Sequence, residues 1–542
     1  MAEAAQPEQT KGILGWVERT GNKLPDPVFI FFYLIILLVG ISIVAELVNV
    51  SAQHPTQVNA DGTPKIESAV SLLAPQNIER LWVDMPKTFT HFHPLGYVLV
   101  VMLGAGVAER SGLFASAIRG AVRNAPKALL TPLVALIAML SNHAADAGYV
   151  VMIPLAAIIF ASAGRHPLAG IAAAFAGVSG GFSANIAPGQ LDALLFGITE
   201  TAYITSNIDA GWNVNIAGNT YFIMALLLIY MPIIWYVTDR IIEPRLGKWV
   251  PDADSDQKSY SDEDKPLTDD QKKGLRNAGL AILAVCGLWA FMTLGPGTPL
   301  YITDAEFAAT GLSAAEIAEK AWYDRLNPFF RSLVAGFLVL FLAAGWAYGA
   351  AAKTIKNHKD LVHMMTEAMK DMGYYLVLAF AAAHFVAMFG WSNLGLITAV
   401  HGADAIQSSG LPLPIVLGLI VVFSALLNLF VGSASAKWAL MAPVLVPMLM
   451  LLGISPDGAT AAYRVGDGAT NIITPLMVYF PLILVFAQRW KKDFGLGSLT
   501  AIMIPYSIWL LISGVILMMI WIFLGLDLGP GAPAQIPIPG AS

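Results

Sequence analysis

Charge is what this sequence has least of. Asp, Glu, Lys and Arg supply 13% of 542 residues and hydrophobic residues 56%, whereas soluble domains carry roughly 25% charged residues. A water-facing surface for a chain of this size needs about twice the charge present, so a soluble globular protein is excluded. Cys286 is the single cysteine, which excludes a disulfide scaffold. The balance of 31 basic against 37 acidic residues gives a net charge of −6 and no basic tract, so nucleic acid is not an expected partner. A nucleotide-binding loop of the form GxxxxGK(S/T) is absent, as are clusters of Cys and His with metal-ligand spacing. An ATP-driven pump, a resident metal and a cofactor are therefore not expected. The remaining class is an all-α polytopic membrane protein, with the lipid bilayer as its solvent.

Long apolar runs are abundant. Pro27–Ala45 (PVFIFFYLIILLVGISIVA) is charge-free and close to the ~20 residues that carry a helix across ~30 Å of hydrocarbon. Met1–Gln9 holds Glu3 and Glu8 without a basic run, so the start does not read as a cleavable signal. Basic residues collect on the cytoplasmic side of short connections. By that rule 110–127, 240–248, 353–359 and 489–492 lie inside, and 51–87, 295–326 and 401–413 outside. The N-terminus falls in the cytoplasm and the C-terminus outside. Between the inside clusters Arg119–Lys127 and Arg165–His166 lie some 37 apolar residues. One helix cannot start and finish on the same face, so this stretch reads as a re-entrant hairpin turning at Ser141–Asp146.

Threading the whole chain gives nine transmembrane helices plus two opposed re-entrant hairpins. Single helices are expected at about 27–48, 95–118, 217–238, 275–295, 331–350, 373–398 and 499–525. Residues 1–26 form a cytoplasmic N-terminus, and 27–248 a first membrane half with a hairpin at 128–163 and a broken helix at 167–199. A cytoplasmic linker covers 249–274. The second half, 275–526, holds a hairpin at 411–453 and a helix at 457–487 broken around Gly466–Pro475. Lys353–Asp371 is basic and amphipathic, and is expected along the inner membrane surface. The Pro- and Gly-rich tail, 527–542, reads as mobile.

The two interrupted regions align when the sequence is slid on itself by 289 positions. Asp146 then falls on Ser435, Tyr149 on Trp438, Pro154 on Pro443, Pro167 on Pro456 and Gly177 on Gly466. A one-residue gap brings Asn185 onto Asn471. One hairpin opens inward and the other outward, so the repeat is inverted in the membrane. Secondary transporters are built this way, with broken helices meeting at the bilayer midplane. Non-helical backbone at that depth is tolerated where it is buried in protein or lines an aqueous cavity. Packed kinks are the bland alternative, but two matched clusters of Ser, Asn, Asp and Gly favour a binding site.

Charges at membrane depth cost at least ~2.5–3.5 kcal/mol each, so each needs a partner or a function. Arg464 and Asp467, at i and i+3, are expected to neutralise each other or to meet substrate. Asp192, with no basic residue near it in sequence, is expected in the cavity or at a helix contact. Asn142 and Asn428, one per hairpin, are neutral oxygen donors. With the carbonyls around Gly432–Ser435, Ser433 among them, and with Asp467, they form the expected Na⁺ set. His143 suits a proton relay or a helix cap, and Asp146 an ion ligand or a cap. Trp438 offers a flat face for an aromatic ring or packs internally, and Lys437 is expected to be paired or exposed to the cavity.

The runs SNHAADAGYVVMIPLAA (141–157), GGFSANIAPGQLDALLFGIT (180–199), GSASAKWALMAPVLVPML (432–449) and GISPDGATAAYRVGDGATNIITPL (453–476) resemble the AbgT family of bacterial transporters. The resemblance covers about 27–525. It implies a homodimer of nine helices and two opposed hairpins around an inward-facing aqueous bowl. It also implies p-aminobenzoyl-glutamate import, or export of p-aminobenzoate and sulfonamides. Carried over by motif, it implicates Asp192, Asn428, Ser435, Trp438, Pro456, Arg464, Asp467 and Pro475 as site residues.

The expectation is a cation-coupled, elevator-like secondary transporter of aminobenzoate-type compounds in the bacterial inner membrane, not an enzyme. Na⁺ or H⁺ is the coupling ion, the substrate carboxylate lies near Arg464, and Trp438 stacks on the ring. One alternative is a Na⁺-coupled dicarboxylate importer, since inverted hairpin folds also serve dicarboxylates. Another is an intramembrane enzyme using His143 and Asp146 as acid and base.

Overall fold

Pro27–Leu47 shows why these helices start where they do. Pro27 takes the first helical position, where its missing N–H is harmless, and the Asp26 side chain accepts from the Val28 amide at 2.8 Å. Along the span the backbone satisfies itself through its own helical hydrogen bonds, since lipid offers it no partner. The computed structural model describes residues 25–540 apart from 124–125, 127–128, 145–147 and 250–265. Within them, six helices are long and apolar enough to cross a bilayer: Pro27–Leu47, Thr220–Leu246, Asp269–Phe291, Asn327–Ala352, Gly373–Trp391 and Leu496–Phe523. Five shorter apolar helices lie in the two interrupted regions: Leu130–His143, Gly148–Ser162, Pro167–Gly180, Leu413–Asn428 and Ala434–Met450. The chain is thus a mostly helical, polytopic membrane protein. Most of the expected linker, and the N-terminal residues through 24, lie outside the described residues.

Two expected single helices are divided. The 95–118 segment bends by 63° between His93–Arg110 and Leu113–Ala121. Gly112 sits there at φ +89°, a left-handed conformation that no helix continues through. The 373–398 segment stops at Trp391, because Asn393 at φ 57° ends it and opens a separate helix, Leu394–Ser408.

The two broken helices differ. In the first, helical backbone through Gly180 gives way to an open stretch over 181–189 before Gln190–Ser206. In the second, Pro456–Asn471 runs unbroken through Gly466 and Gly468, and the gap is confined to 472–479 before Phe480–Gln488. The break expected around Gly466–Pro475 thus falls at Pro475 and not at Gly466. That glycine serves close packing, since a Cβ there would lie 2.2 Å from the Val421 carbonyl and 2.8 Å from the Ala425 amide. All sixteen residues of Pro456–Asn471 are buried.

The apolar interior falls into two clusters. The larger joins the five shorter apolar helices, Gln190–Ser206, Pro456–Asn471, Phe480–Gln488, Pro27–Leu47, Thr220–Tyr236, Gly373–Trp391 and Leu496–Phe523. The smaller is centred on His93–Arg110, Asp269–Phe291 and Asn327–Ala352.

The tail is not a loose appendage through residue 540. Asp527–Gly529 pairs with Ala532–Pro533, Ala534 O accepts from the Ser455 amide at 3.1 Å, and the Ile536 amide donates to Gly453 O at 2.8 Å. Asn215 Nδ2 donates to Pro530 O at 2.6 Å. Leu528, Ala532 and Ala534 are fully buried. The tail thus ties the 207–219 connection to the start of Pro456–Asn471, two segments that both reach the polar interior. Truncation after Leu526 exposes this apolar surface and strips those partners. It is expected to cost on the order of 3 kcal/mol, read as a lower melting temperature in detergent. An unchanged melting curve would count against a structural role for the tail.

Candidate functional site

A residue from each expected hairpin turn rests against a break. In the first repeat, His143 Nε2 lies 3.1 Å from Ala187 O and 3.3 Å from Pro188 O, so the imidazole supplies a partner that the open strand lacks. In the second, Gly432 lies against the 472–479 gap so closely that a Cβ would sit 2.5 Å from Leu476 O. The repeats also meet each other. Ser183 Oγ, from the first break, donates to Arg464 O at 3.1 Å, and Tyr149 stacks on Tyr479 with centroids 4.3 Å apart.

Two charged clusters form at these meetings. Arg464, 2% exposed, donates from Nη1 to Asp192 Oδ1 at 2.8 Å. Asp192 Oδ2 in turn accepts from the Gly189 amide at 2.8 Å, capping the second half of the first broken helix. This carboxylate therefore holds a helix end and a guanidinium at once. Beside the pair is a small cavity lined by Asp192, Thr199, Trp212, Asn219, Asp457 and Arg464, among others. Asp457 Oδ2 accepts from Trp212 Nε1 at 2.7 Å. Arg464 Nε and Asn219 Oδ1 are buried without a partner. The free space, about 10 Å³, holds about one water, so any organic substrate requires the surrounding elements to separate.

The second cluster lies at the other hairpin. Lys437 Nζ, on Ala434–Met450, donates to Asn428 Oδ1 and to Asp467 Oδ1. Lys437 and Asp467 are 1% and 0% exposed. Asn428 Nδ2 faces Asp467 O at 2.7 Å, Asn471 Oδ1 at 2.8 Å and Thr470 Oγ1 at 3.0 Å. Asp467 Oδ2 is buried without a partner.

A model of the AbgT putative transporter family matches residues 12–536. The chain belongs to the AbgT family. It is 36% identical to the p-aminobenzoyl-glutamate transport protein of Escherichia coli (strain K12) over 532 residues, 98% of each chain. It shares 40% identity with the Alcanivorax borkumensis YdaH transporter, whose crystal structure superposes with a TM-score of 0.82 over 93% of this chain and 100% of that one. It also shares 40% identity with Neisseria gonorrhoeae MtrF, described within a class of antimetabolite efflux pumps, with a TM-score of 0.85 over 96% of this chain and 100% of that one. This AbgT chain is accordingly a membrane transport protein.

Of the AbgT motif residues, Asp192 and Arg464 lie in one cluster and Asn428 and Asp467 in the other. Arg464 and Asp467 do not pair with each other, which corrects the i, i+3 expectation. Three residues along a helix is about 300° of turn, so the two side chains diverge by some 60° and reach different neighbours. Arg464 meets Asp192 and Asp467 meets Lys437. Pro456 occupies the first turn of Pro456–Asn471, behind the N-cap Ser455, whose Oγ accepts from the Gly458 amide at 3.1 Å. Pro475 lies in the 472–479 gap.

Trp438 is fully buried. One face already stacks on Tyr463 at 4.6 Å and 23°, and Nε1 donates to Thr199 Oγ1 at 2.9 Å. The flat face expected for a substrate ring is thus occupied in this state. Ser433 Oγ accepts from the Ala436 amide and lies 3.2 Å from Ser435 Oγ. Asn142 bonds within its own turn, to Met139 O at 2.9 Å, in a different cluster from Asn428. Asp146 lies outside the described residues.

Trp212, Asn219 and Asp457 went unread in the sequence. A carboxylate directly after Pro456 was the only local signal, because the Trp212–Asp457 bond joins residues 245 apart.

Breaking the Asp192–Arg464 pair leaves one buried charge alone. Asp192→Ala and Arg464→Ala are each expected to cost about 3–5 kcal/mol, and the double variant clearly less than their sum. A double-mutant cycle of melting temperatures in detergent checks this; strict additivity would mean that the two side chains do not sustain each other.

Proposed function

We propose that this chain is a cation-coupled secondary transporter of p-aminobenzoate-type compounds, such as p-aminobenzoyl-glutamate, p-aminobenzoate and sulfonamides. It works in the bacterial inner membrane as a homodimer of nine spans and two re-entrant hairpins, with its N-terminus in the cytoplasm and its C-terminus in the periplasm. The observation that carries this reading is the buried Arg464 guanidinium beside a polar cavity between the broken helices, with Nε unpartnered. A planar guanidinium suits a carboxylate, the group that aminobenzoates carry opposite their amine. The Escherichia coli relative named for p-aminobenzoyl-glutamate transport and the antimetabolite efflux class of MtrF support the substrate class.

The two apolar clusters support an alternating-access reading. The hairpins and broken helices share the larger and move as an elevator-like block, while the helices of the smaller form part of the frame. Separation of the block from its surroundings opens the cavity beside Arg464 and admits the substrate. Asp192, Ser435, Trp438, Pro456, Arg464, Asp467 and Pro475 shape the path. Exposure along Asp269–Phe291, with Leu283 69% and Phe291 65% exposed, suits a lipid-facing or subunit-facing helix.

The test is flux of labelled p-aminobenzoate in proteoliposomes, with H⁺ and Na⁺ gradients imposed separately and sulfamethazine or succinate added as competitor. Gradient-driven, saturable flux inhibited by sulfamethazine is expected. Inhibition by succinate alone would replace this reading with dicarboxylate transport.

A further inference from the structure

We infer that a second cavity, between Glu200 and Arg331, is an outer station for the substrate, where an aminobenzoate-type anion binds before or after it meets Arg464. The inference rests on the transport reading above. The cavity lies where Gln190–Ser206 meets His93–Arg110 and Asn327–Ala352, and Tyr97, Phe196, Glu200, Phe330 and Arg331 line it. Its free space is about 130 Å³, against about 10 Å³ beside Arg464. The smaller space holds about one water and the larger about ten, the scale of a single substituted ring.

The lining matches both ends of such a substrate. Arg331 is exposed and has no ion-pair partner among the described residues. Its planar fork suits the carboxylate. Glu200, 8% exposed, accepts from the Tyr97 hydroxyl at 2.8 Å and lies 3.3 Å from His93 Nδ1. Both contacts use Oε2, so Oε1 is left to accept from an aromatic amine. Tyr97, Phe196 and Phe330 offer apolar faces to the ring between those ends. Aromatic walls with a few placed polar groups are the usual make-up of a small-molecule site.

Phe196 and Ile216 line both cavities and so form the partition between them. Phe196 lies 5.7 Å from Tyr97 on one side and 6.1 Å from Trp212 on the other, centroid to centroid. Aromatic faces thus run from the outer cavity to the inner one, and rotation of Phe196 would join the two. In the topology proposed above, His93–Arg110 and Asn327–Ala352 begin at the periplasmic face, which places this station outside Arg464.

A single thiol on the cavity wall tests this. Cys286, the one cysteine, is exchanged by Cys286→Ser, and Val334, which also lines the cavity, by Val334→Cys. Full-length protein in detergent is alkylated with N-ethylmaleimide, with and without saturating p-aminobenzoate. The ligand is expected to slow alkylation about fivefold or more, and benzoate, which lacks the amine, to slow it less. Arg331→Ala is expected to remove this protection. Protection is expected to persist in Arg464→Lys, which keeps a charge beside Asp192 but loses the fork. Should that variant not fold, Asp192→Asn with Arg464→Gln takes its place, since it leaves no buried charge alone.

No protection, protection that survives Arg331→Ala, or protection lost with the Arg464 change overturns the inference. So does a thiol that N-ethylmaleimide never reaches, because a sealed cavity admits no substrate. Flux of labelled p-aminobenzoate in proteoliposomes is measured separately on Cys286→Ser protein. Flux without protection defeats the outer station and leaves the transport reading standing; protection without flux does the reverse.

Discussion

A charge placed deep in a lipid-embedded protein must find an opposite charge or be displaced by one, and this fold is arranged around two such meetings. Helix Pro456–Asn471 is buried along its whole length and carries one basic and one acidic group toward its middle, Arg464 and Asp467. Each charge is matched by a group from a different element. Asp192 comes from the first repeat and Lys437 from the second hairpin. Neither match survives a large displacement of its partner, so the positions of a half-helix and a hairpin are fixed relative to one central helix. Buried pairs add little net stability over apolar packing, but breaking one is costly. They therefore hold a particular arrangement more than they strengthen the fold.

The second constraint is the open backbone. Residues 181–189 and 472–479 leave amides and carbonyls outside helical ladders, and lipid offers them nothing. The first hairpin turn supplies part of what is missing. His143 covers the carbonyls of Ala187 and Pro188, and Gly432 lets the second turn approach Leu476 more closely than a side chain would allow. Small residues serve the same end throughout Pro456–Asn471. Ser424 Oγ donates to Tyr463 O at 2.9 Å and Thr470 Oγ1 to Ala425 O at 3.0 Å, contacts that require helices in near-direct touch. Polar side chains here bind neighbouring backbone, which leaves few of them free among the described residues.

Much of the candidate site was legible in the sequence, because lipid makes polar residues conspicuous. Asp192, Asn428, Arg464 and Asp467 stand out from apolar surroundings and all lie in the two buried clusters. The partners were a different matter. Proximity along the chain favoured Arg464 with Asp467, yet helical geometry sends them apart toward residues 272 and 30 positions away. Trp438 was legible as an aromatic at the right depth but not as one already stacked on Tyr463. Gly466 matched Gly177 in the repeat, and its role as a contact point rather than a break depended on Val421, on another helix.

Hydropathy, basic-residue placement and the repeat at 289 positions determined a polytopic helical membrane protein with two interrupted regions, because insertion into lipid is governed by local composition that one strand of sequence carries. Only the tertiary structure decided which charges pair, where the second helix breaks, and that the C-terminal tail packs against Ile454 and Ser455. Those outcomes depend on distances between residues far apart in the chain, and such distances exist only once the helices have packed.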